Sequence, residues 1–197
     1  PSPRQPCLFT ATVPTTIKRL IYSYLRDPEW VLVGMESRPV DEVEQLYYEV
    51  ANRDKPEAMV EVLEKHHGEQ TLIFCRTQVA VDRVVRILQR KGHAIVGIHG
   101  AMPQRERDAV MARFRAGEAK LLVSTNLTSR GIDVPTVENV VNYDIPESVE
   151  EYVHRIGRTA RMGRPGTAIT FVSEWDMEFI DAIQKHVGAD QLTVRKL

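Results

Sequence analysis

The segment TLIFCRTQVAVDRVVRILQRKGHAIVGIHG, residues 71–100, decides the fold class of this chain. It opens with the apolar run 71–75 and closes with another at 94–99, and runs of this length are typical of strands buried on both faces. Between them, residues 77–91 carry apolar side chains at helical spacing with arginines opposite, and Gly92 follows as a helix stop. This strand–helix–strand order predicts an α/β domain whose parallel strands are joined by right-handed crossovers.

The same alternation continues on both sides of this segment. We predict further strands at 46–50, 120–125, 139–143 and 167–172. We predict further helices at 55–66, 103–116, 148–160 and 175–187. Because most of the predicted strands are nearly continuous in apolar residues, we expect them to pair in a mostly parallel central sheet with helices on both faces.

The N-terminal part of the chain follows a different pattern. It predicts a strand at 7–12, a helix at 14–26 and a second strand at 29–34, followed by a polar stretch that contains a proline. A single strand–helix–strand unit buries little of its own apolar surface, so we expect it to belong to a preceding domain. The predicted organisation is a domain remnant at 1–34, a linker at 35–45 and a second domain at 46–197.

The composition is that of an ordinary globular domain. Of the 197 residues, 43% are apolar and 27% are charged, and the net charge of −1 creates no general attraction for nucleic acid. No apolar run approaches the roughly 18 residues of a membrane span, and the N-terminal stretch lacks the apolar core of a signal peptide. Cys7 and Cys75 do not suggest a disulfide framework. We therefore expect no membrane partner and an intracellular location, cytoplasmic or nuclear.

Polar and charged residues follow the predicted strands, where ligands gather in sheets of this type. In chain order they are Arg76 and Thr77, then Gly100, Gln104 and Arg107, then Thr125 and Asn126, then Arg130, Gly131 and Asp133, and finally Asp144. The hydroxyl and amide groups of the run 124–126 suit either a phosphodiester backbone or a helix N-cap. Asp133 lies just beyond a glycine turn and suits either a ribose hydroxyl or the cap of that turn.

Arginines recur at every third position near the end of the predicted helix 148–160. They are Arg155, Arg158, Arg161 and Arg164. On a helix, the first three would lie within an arc of about 120°, where their mutual repulsion favours an anion opposite them. The guanidinium fork suits phosphate oxygens, and an arginine of this kind stabilises a transferred γ-phosphoryl group. The alternative is a solvated basic face balanced by neighbouring glutamates, although the interspersed glycines Gly157 and Gly163 favour the anion site.

A nucleotide cradle is missing from the sequence. No GxxxxGK[ST] P-loop occurs, and the only Asp-Glu dipeptide, at 41–42, lies in the predicted linker away from any strand end. The histidines show no metal-site spacing, so no metal ligand is assigned, and only His154, beside the arginines, is given a role. We therefore expect the chain to complete a nucleotide site that is built mainly elsewhere.

Several of these segments together resemble the motifs of the DEAD-box RNA helicases. In the family's order they are FTAT (9–12, motif III), LIFCRT (72–77, motif IV), the Gln-x-x-Arg element within HGAMPQRER (99–107), STNLTSRGID (124–133, motif V), VNYDIP (141–146) and HRIGRTAR (154–161, motif VI). The resemblance implies a RecA-like three-layer α/β sandwich. It also implies an ATP-dependent RNA helicase that unwinds short duplexes or remodels RNA–protein complexes.

The resemblance further implies a role for each matching residue. Catalysis would involve Arg158, Arg161 and His154, with the two arginines on the γ-phosphate. Nucleotide binding would involve Asp133, Gly131, Arg158 and Arg161. Contacts near the RNA backbone would come from Arg76, Thr77, Gly100, Gln104, Arg107, Thr125 and Asn126. Coupling between two motor lobes would involve Thr10, Thr12, Arg130 and Arg155.

The implied ligands are ATP and Mg²⁺, both held mainly by an N-terminal RecA-like lobe that carries the P-loop and the acidic motif. The implied partners are RNA, that lobe of the same protein, and protein regulators. Because the P-loop and magnesium-binding groups are missing, we expect the 197-residue chain to be inactive by itself.

Two residues depart from the family pattern. Motif V more often has Asp where this chain has Asn126, so a hydrogen-bonding group is kept while a charge is lost. Motif III usually has Ser at the position of Thr10, which keeps the hydroxyl.

Two other functions stay open: an RNA-binding or regulatory module without ATPase activity, and a motor that acts on DNA. The paired candidate arginines argue against the module, and the forms of motifs V and VI argue against the DNA motor.

Overall fold

A computed structural model of the chain describes residues 4–10, 13, 15–31, 43–66, 70–126, 137–160, 164–188 and 190–196. The chain forms two compact units, Pro1–Ser37 and Arg38–Leu197. The first unit contains helix α1, Thr15–Tyr24. It leaves large apolar side chains exposed to solvent, among them Phe9, Tyr24 and Val31.

A seven-stranded sheet, in which every neighbouring pair of strands is parallel, organises the second unit. Its strands are β1 (Val43–Glu49), β2 (Thr71–Cys75), β3 (Ile95–Ile98), β4 (Leu121–Thr125), β5 (Asn139–Asn142), β6 (Gly166–Val172) and β7 (Leu192–Arg195). Their order across the sheet is β3-β4-β2-β5-β6-β1-β7. The predicted α/β class with a parallel central sheet is therefore confirmed.

Helices lie between most successive strands of this sheet. Those described in the second unit are α2 (Lys55–Lys65), α3 (Gln78–Arg90), α4 (Gln104–Arg115), α5 (Val149–Ile156) and α6 (Met177–Val187). Helix α3 begins after Thr77, whose hydroxyl accepts a hydrogen bond from the backbone N–H of Ala80 at 3.1 Å. Its buried residues Val81, Val84 and Leu88 form the apolar stripe that the sequence predicts.

The side chains of β2 alternate between two apolar cores. Ile73 and Cys75 belong to the core that includes residues of α2 and α3, whereas Leu72 and Phe74 belong to the core that includes residues of α4. Full burial of one such side chain contributes about 1.5–3 kcal/mol. Because both faces of the strand are covered by helices, every residue of β2 is buried, which explains its continuous apolar sequence.

The parallel arrangement brings the carboxyl ends of the strands to one edge of the sheet. The pairing aligns Cys75 of β2 with Thr125 of β4, and Phe74 of β2 with Asn142 of β5. The residues that directly follow these strands are therefore neighbours in space, although they are far apart in the sequence. This edge holds the candidate site.

Some sequence predictions differ from the structure. Strand β1 begins at Val43, inside the predicted linker, and β7 forms one edge of the sheet although no strand is predicted there. The described residues at 7–10 and 29–31 form no strand, contrary to prediction. A strand needs a neighbour for its backbone hydrogen bonds, and the described part of the first unit contains only a helix.

The compact units divide near the predicted domain boundary, and the assignment of 1–34 to another lobe stays a prediction. Within the described ranges, none of the helices combines the length and the apolar character that a membrane crossing requires.

Candidate nucleotide and RNA interface

Asp144, the second residue after β5, joins three parts of the strand edge. Its carboxylate accepts a hydrogen bond from the backbone N–H of Arg76 at 2.8 Å and lies 3.9 Å from the Lys55 ammonium. Its backbone carbonyl accepts a hydrogen bond from Arg155 at 2.8 Å. Asp144 thereby connects the loop after β2, the start of α2 and helix α5.

Lys55 is a buried cation at the first position of α2, with its ammonium 5.9 Å from the centre of the Tyr143 ring. Burial lowers the pKa of Lys55, and the Asp144 carboxylate opposes that shift. Burial also raises the pKa of the Tyr143 phenol to about 12 and raises the pKa of the Cys75 thiol. Cys75 is therefore a protonated core residue and has none of the thiolate character of a reactive cysteine.

Arg155 is the centre of a buried polar network and is only 3% exposed. Its Nε donates to Asn126 Oδ1 at 2.9 Å, and its Nη1 donates to Asn142 Oδ1 at 3.0 Å and to the Asp144 carbonyl. Its Nη2 pairs with the Glu151 carboxylate at 2.7 Å. We call these five residues the Arg155 network: Arg155, Glu151, Asn126, Asn142 and Asp144.

The guanidinium of Arg155 also lies against an aromatic ring. It lies 5.0 Å from the centre of the Phe74 ring, within the range of a cation–π contact. Burial lowers the pKa of Arg155, and the neighbouring Glu151 carboxylate raises it. A buried guanidinium is tolerated when it is paired and hydrogen-bonded in this way.

The predicted arrangement of three arginines on one helical arc is wrong. Helix α5 ends at Ile156 with Gly157 as its C-cap, so the predicted helix 148–160 is too long. Arg155 faces the protein interior, while Arg158 lies in the turn beyond the helix, half-buried, with its Nε 3.3 Å from the His154 carbonyl. The two arginines therefore do not share a face.

The turn after α5 is anchored to the sheet by Thr159. Its buried hydroxyl contacts the carbonyls of Val137 and Glu138, which precede β5. A Cβ atom on Gly166, the first residue of β6, would overlap that hydroxyl oxygen. The close approach explains why glycine occupies this position, and it fixes the backbone that directly follows Arg158.

Three of the residues proposed to contact RNA come after β2 and β3 in the chain and lie at the starts of the helices that follow. Thr77 caps α3, while Gln104 opens α4 and donates to Asp108 at 2.8 Å. Arg107 donates to the side-chain oxygen of Gln104 at 3.1 Å. Over the ranges that the structure covers, the Arg107 Nε is buried without a hydrogen-bond partner, as is the Nδ1 of His99.

Other assigned residues have different surroundings. Arg76 and Gly100 are exposed, and Thr125 is buried within β4. Asn126 is part of the Arg155 network, so its side chain is already engaged within the protein. Thr10 is exposed in the first unit, and His154 is exposed on α5. Thr12, Arg130, Gly131, Asp133 and Arg161 lie outside the described residues.

Sequence reasoning missed three members of this site, namely Lys55, Asn142 and Glu151. Lys55 looks like an ordinary first-turn residue of a helix, and Asn142 interrupts an otherwise apolar strand. The interruption was a usable signal, because a buried amide needs hydrogen-bond partners. The spacing of Glu151 and Arg155 was a second usable signal, because oppositely charged residues four positions apart on a helix can pair.

Comparisons with known proteins place this chain among the helicases. The profile of the helicase conserved C-terminal domain matches residues 54–163. The DEAD-box ATP-dependent RNA helicase CshA of Bacillus subtilis is 36% identical over 197 residues, which is all of this chain and 39% of that protein. The probable eukaryotic initiation factor 4A of Trypanosoma cruzi is 37% identical over 186 residues, 94% of this chain and 46% of that protein. The chain thus spans less than half the length of these relatives.

Solved structures of a DEAD-box protein have a similar fold. Saccharomyces cerevisiae Dbp5 bound to RNA and ADP BeF3 superposes with a TM-score of 0.84 at 31% identity, covering 95% of this chain and 50% of that one. The C-terminal domain of the DEAD-box protein Dbp5 superposes with a TM-score of 0.74 at 36% identity, covering 80% of this chain and 92% of that one.

Proposed function

The chain belongs to the DEAD-box RNA helicases, as a helicase conserved C-terminal domain with the RecA-like fold, and from this premise we propose that it is the second motor lobe of an ATP-dependent RNA helicase. In this proposal it supplies arginine to an ATP molecule that is bound mainly by a first lobe. The intact protein unwinds short RNA duplexes or remodels RNA–protein complexes.

The observation that carries the proposal is the contrast between Arg155 and the turn that follows it. Arg155 holds α5 against the strand ends, and Thr159 holds the turn against the segment before β5. Arg158 is thus placed on a backbone that is fixed on both sides. Fixed geometry is what an arginine finger needs, because its benefit comes from charge that is already aimed at the transferred phosphoryl group.

The RNA-binding surface in this proposal is the edge formed by the starts of α3 and α4. Arg76 and Arg107 offer positive charge there, and Thr77 and Gln104 offer polar groups. Such groups suit phosphates and 2′-hydroxyls and do not read base edges. The partly buried Arg107, with its Nε lacking a partner among the described residues, supports an anion at this edge.

ATP and Mg²⁺ are assigned mainly to the first lobe. Within the described ranges, no three His, Cys, Asp or Glu side chains come together as metal ligands. The Asp144 carboxylate is already engaged by Arg76 and Lys55. Arg161, Gly131 and Asp133 keep their proposed nucleotide roles, and Thr10, Thr12 and Arg130 keep their proposed roles in coupling, on the strength of the motif resemblance.

The proposed cycle follows from these assignments. ATP and RNA bring the two lobes together, so that Arg158 meets the γ-phosphate and stabilises the charge that develops during transfer. Hydrolysis removes that contact, the lobes separate, and RNA is released. Protein regulators would act on the opening or closing of the lobes.

RNA-stimulated ATP hydrolysis tests the proposal. We expect no turnover by the 197-residue chain and RNA-stimulated turnover by the protein that includes its first lobe. Single-stranded DNA of the same sequence should stimulate far less. Turnover by the chain alone would contradict the lobe assignment. A two-lobe protein that binds RNA without hydrolysing ATP would favour the regulatory module, and equal stimulation by DNA would favour the DNA motor.

A further inference from the structure

Asn126 lies between the two charged members of the Arg155 network and bonds to both. Its Oδ1 accepts a hydrogen bond from Arg155 Nε at 2.9 Å, and its Nδ2 donates to Glu151 Oε1 at 2.5 Å. Glu151 and Arg155 also pair directly at 2.7 Å. The three side chains form a closed triangle that joins the end of β4 to α5.

This triangle needs a neutral group that has both a donor and an acceptor at position 126. An amide meets that need, because its oxygen faces the guanidinium while its nitrogen faces the carboxylate. An aspartate would still accept from Arg155, but its second oxygen would face the Glu151 carboxylate at hydrogen-bonding distance. Two carboxylates this close cannot both ionise without a large cost.

We propose that Asn126 is a positioning residue, and that it is neutral in this chain because Glu151 supplies the carboxylate of the triangle. The resemblance implied a contact near RNA for Asn126 and a more usual Asp at its position. The observed bonds assign it a different task, which is to hold α5 in register with β4. The carboxylate that balances Arg155 comes from the helix and not from the strand end.

The consequence for the active site follows from what α5 carries. His154 lies on this helix, and Arg158 lies in the turn directly after it. A change in the triangle moves the helix relative to β4 and therefore moves the proposed finger, without touching ATP. This part of the inference rests on the proposed function, whereas the triangle itself does not.

A double-mutant cycle on the 197-residue chain tests the triangle without any activity assay. The variants are N126D, E151Q and N126D/E151Q, and each is unfolded thermally at pH 7.5. We expect N126D to lower Tm by roughly 4–8 °C, because two carboxylates then face each other. We expect E151Q to lower Tm by at least as much, because Arg155 loses its carboxylate while it stays buried.

The double variant N126D/E151Q should recover most of the Tm that the single variants lose. The carboxylate introduced at position 126 then balances Arg155, and the amide introduced at position 151 donates to it, so the triangle reforms with its hydrogen bond reversed. We expect its Tm within roughly 3 °C of wild type, which is strong non-additivity. As a matched control, E147Q removes a carboxylate from an exposed position before the same helix and should leave Tm nearly unchanged. Additive losses in the double variant, or a neutral N126D, would overturn the proposal.

The pH dependence of N126D gives a second readout. Among the described residues, Asp144, Cys75 and Lys55 are the charged and titratable groups next to the triangle, whose own charged members are Glu151 and Arg155. In N126D the neighbouring negative charge raises the folded-state pKa of one of the two facing carboxyls. The Tm deficit relative to wild type should therefore be full at pH 7.5 and shrink toward pH 5, as that carboxyl is protonated. A deficit that stays constant or grows would contradict the assignment.

Measurements of kcat and RNA affinity on the two-lobe protein distinguish a positioning role of Asn126 from an RNA contact. A positioning role predicts that N126D lowers the RNA-stimulated kcat by roughly 10-fold or more while the apparent RNA affinity stays within about 3-fold, and that E151Q added to it restores kcat. An RNA contact predicts weaker RNA binding that E151Q does not restore. If the Tm cycle behaves as expected but no variant of the two-lobe protein hydrolyses ATP, the proposed function fails and the triangle stands.

Discussion

Arg155 and Arg158 are three residues apart and have opposite surroundings. Arg155 lies inside the last turn of α5, is 3% exposed, and binds groups from α5 itself, from β5 and from the end of β4. Arg158 lies beyond the helix, is half-buried, and contacts the backbone of His154. Arg155 thus holds neighbouring elements together, whereas Arg158 is the proposed catalytic arginine.

The difference in burial follows from the end of the helix, which lies between the two arginines. With α5 ending at Ile156, the chain turns at Gly157 and the next arginine faces a different direction. We therefore expect Arg155 to contribute to stability, and we propose that Arg158 contributes to activity. Each of the following variants tests one side of that division.

Removing Arg158 should have the largest effect, and only on activity. In the two-lobe protein, R158A should lower kcat by roughly 10³-fold, the usual contribution of an arginine finger. Nucleotide affinity should change much less, because the contact forms in the transition state. The Tm of the 197-residue chain should be nearly unchanged. A wild-type kcat for R158A would show that Arg158 is not a catalytic residue.

Removing Arg155 should affect stability first. R155A leaves the Glu151 carboxylate and two asparagine oxygens without their shared partner, so we expect a loss of roughly 3 kcal/mol in the free energy of unfolding. Urea unfolding of the chain measures it. The R155K variant keeps the charge but not the planar fork and should recover only part of the loss. An unchanged urea midpoint for R155A would show that the network does not stabilise the fold.

Adding a methyl group at Gly166 should disturb the turn that carries Arg158. A methyl group there would overlap the Thr159 hydroxyl and lie 2.5 Å from the Ala160 nitrogen. We expect G166A to cost roughly 2 kcal/mol by overpacking and to lower kcat in the two-lobe protein. G100A is the stability control, since its methyl group would meet only Gln78 at 4.0 Å. Equal stability of the two variants would contradict a tightly packed turn.

Removing the N-terminal caps of α3 and α5 should give the smallest effect. Thr77 caps α3 and Ser148 caps α5 through the same type of side-chain bond, at 3.1 Å in both cases. T77A and S148A should each cost about 1 kcal/mol of stability in urea unfolding. Only T77A should also weaken RNA binding by the two-lobe protein. The same RNA affinity in both variants would limit Thr77 to its capping role.

The sequence predicted the parts of the fold that depend on local pattern. The strand 71–75 and the helix after it were readable because every residue of that strand is buried and α3 has a single apolar stripe. β7 was not readable, since three of its four residues are exposed and its pairing with β1 is a long-range contact. The strand-end position of the site was also predictable, because parallel strands place their carboxyl ends together.

The roles within the site were less predictable. Arg155 and Arg158 occur in one periodic run, and the sequence does not show that the helix ends between them. Asn126 looked like a surface hydrogen-bonding group because its partners, Glu151 and Arg155, come from a helix far along the chain. Lys55 gave no signal, since its burial depends on Asp144 at the end of another strand. These roles come from tertiary contacts.

The most direct test is a crystal structure of the two-lobe protein with RNA and ADP–BeF₃, at a resolution that defines the guanidinium planes. It should show the Arg158 guanidinium about 2.7–3.0 Å from the fluorides that stand for the γ-phosphate. Arg155 should stay paired with Glu151 and Asn126, as it is in the free chain. If Arg155 leaves that network to reach the nucleotide, or if Arg158 lies beyond contact distance of the fluorides, the division of roles between the two arginines is wrong.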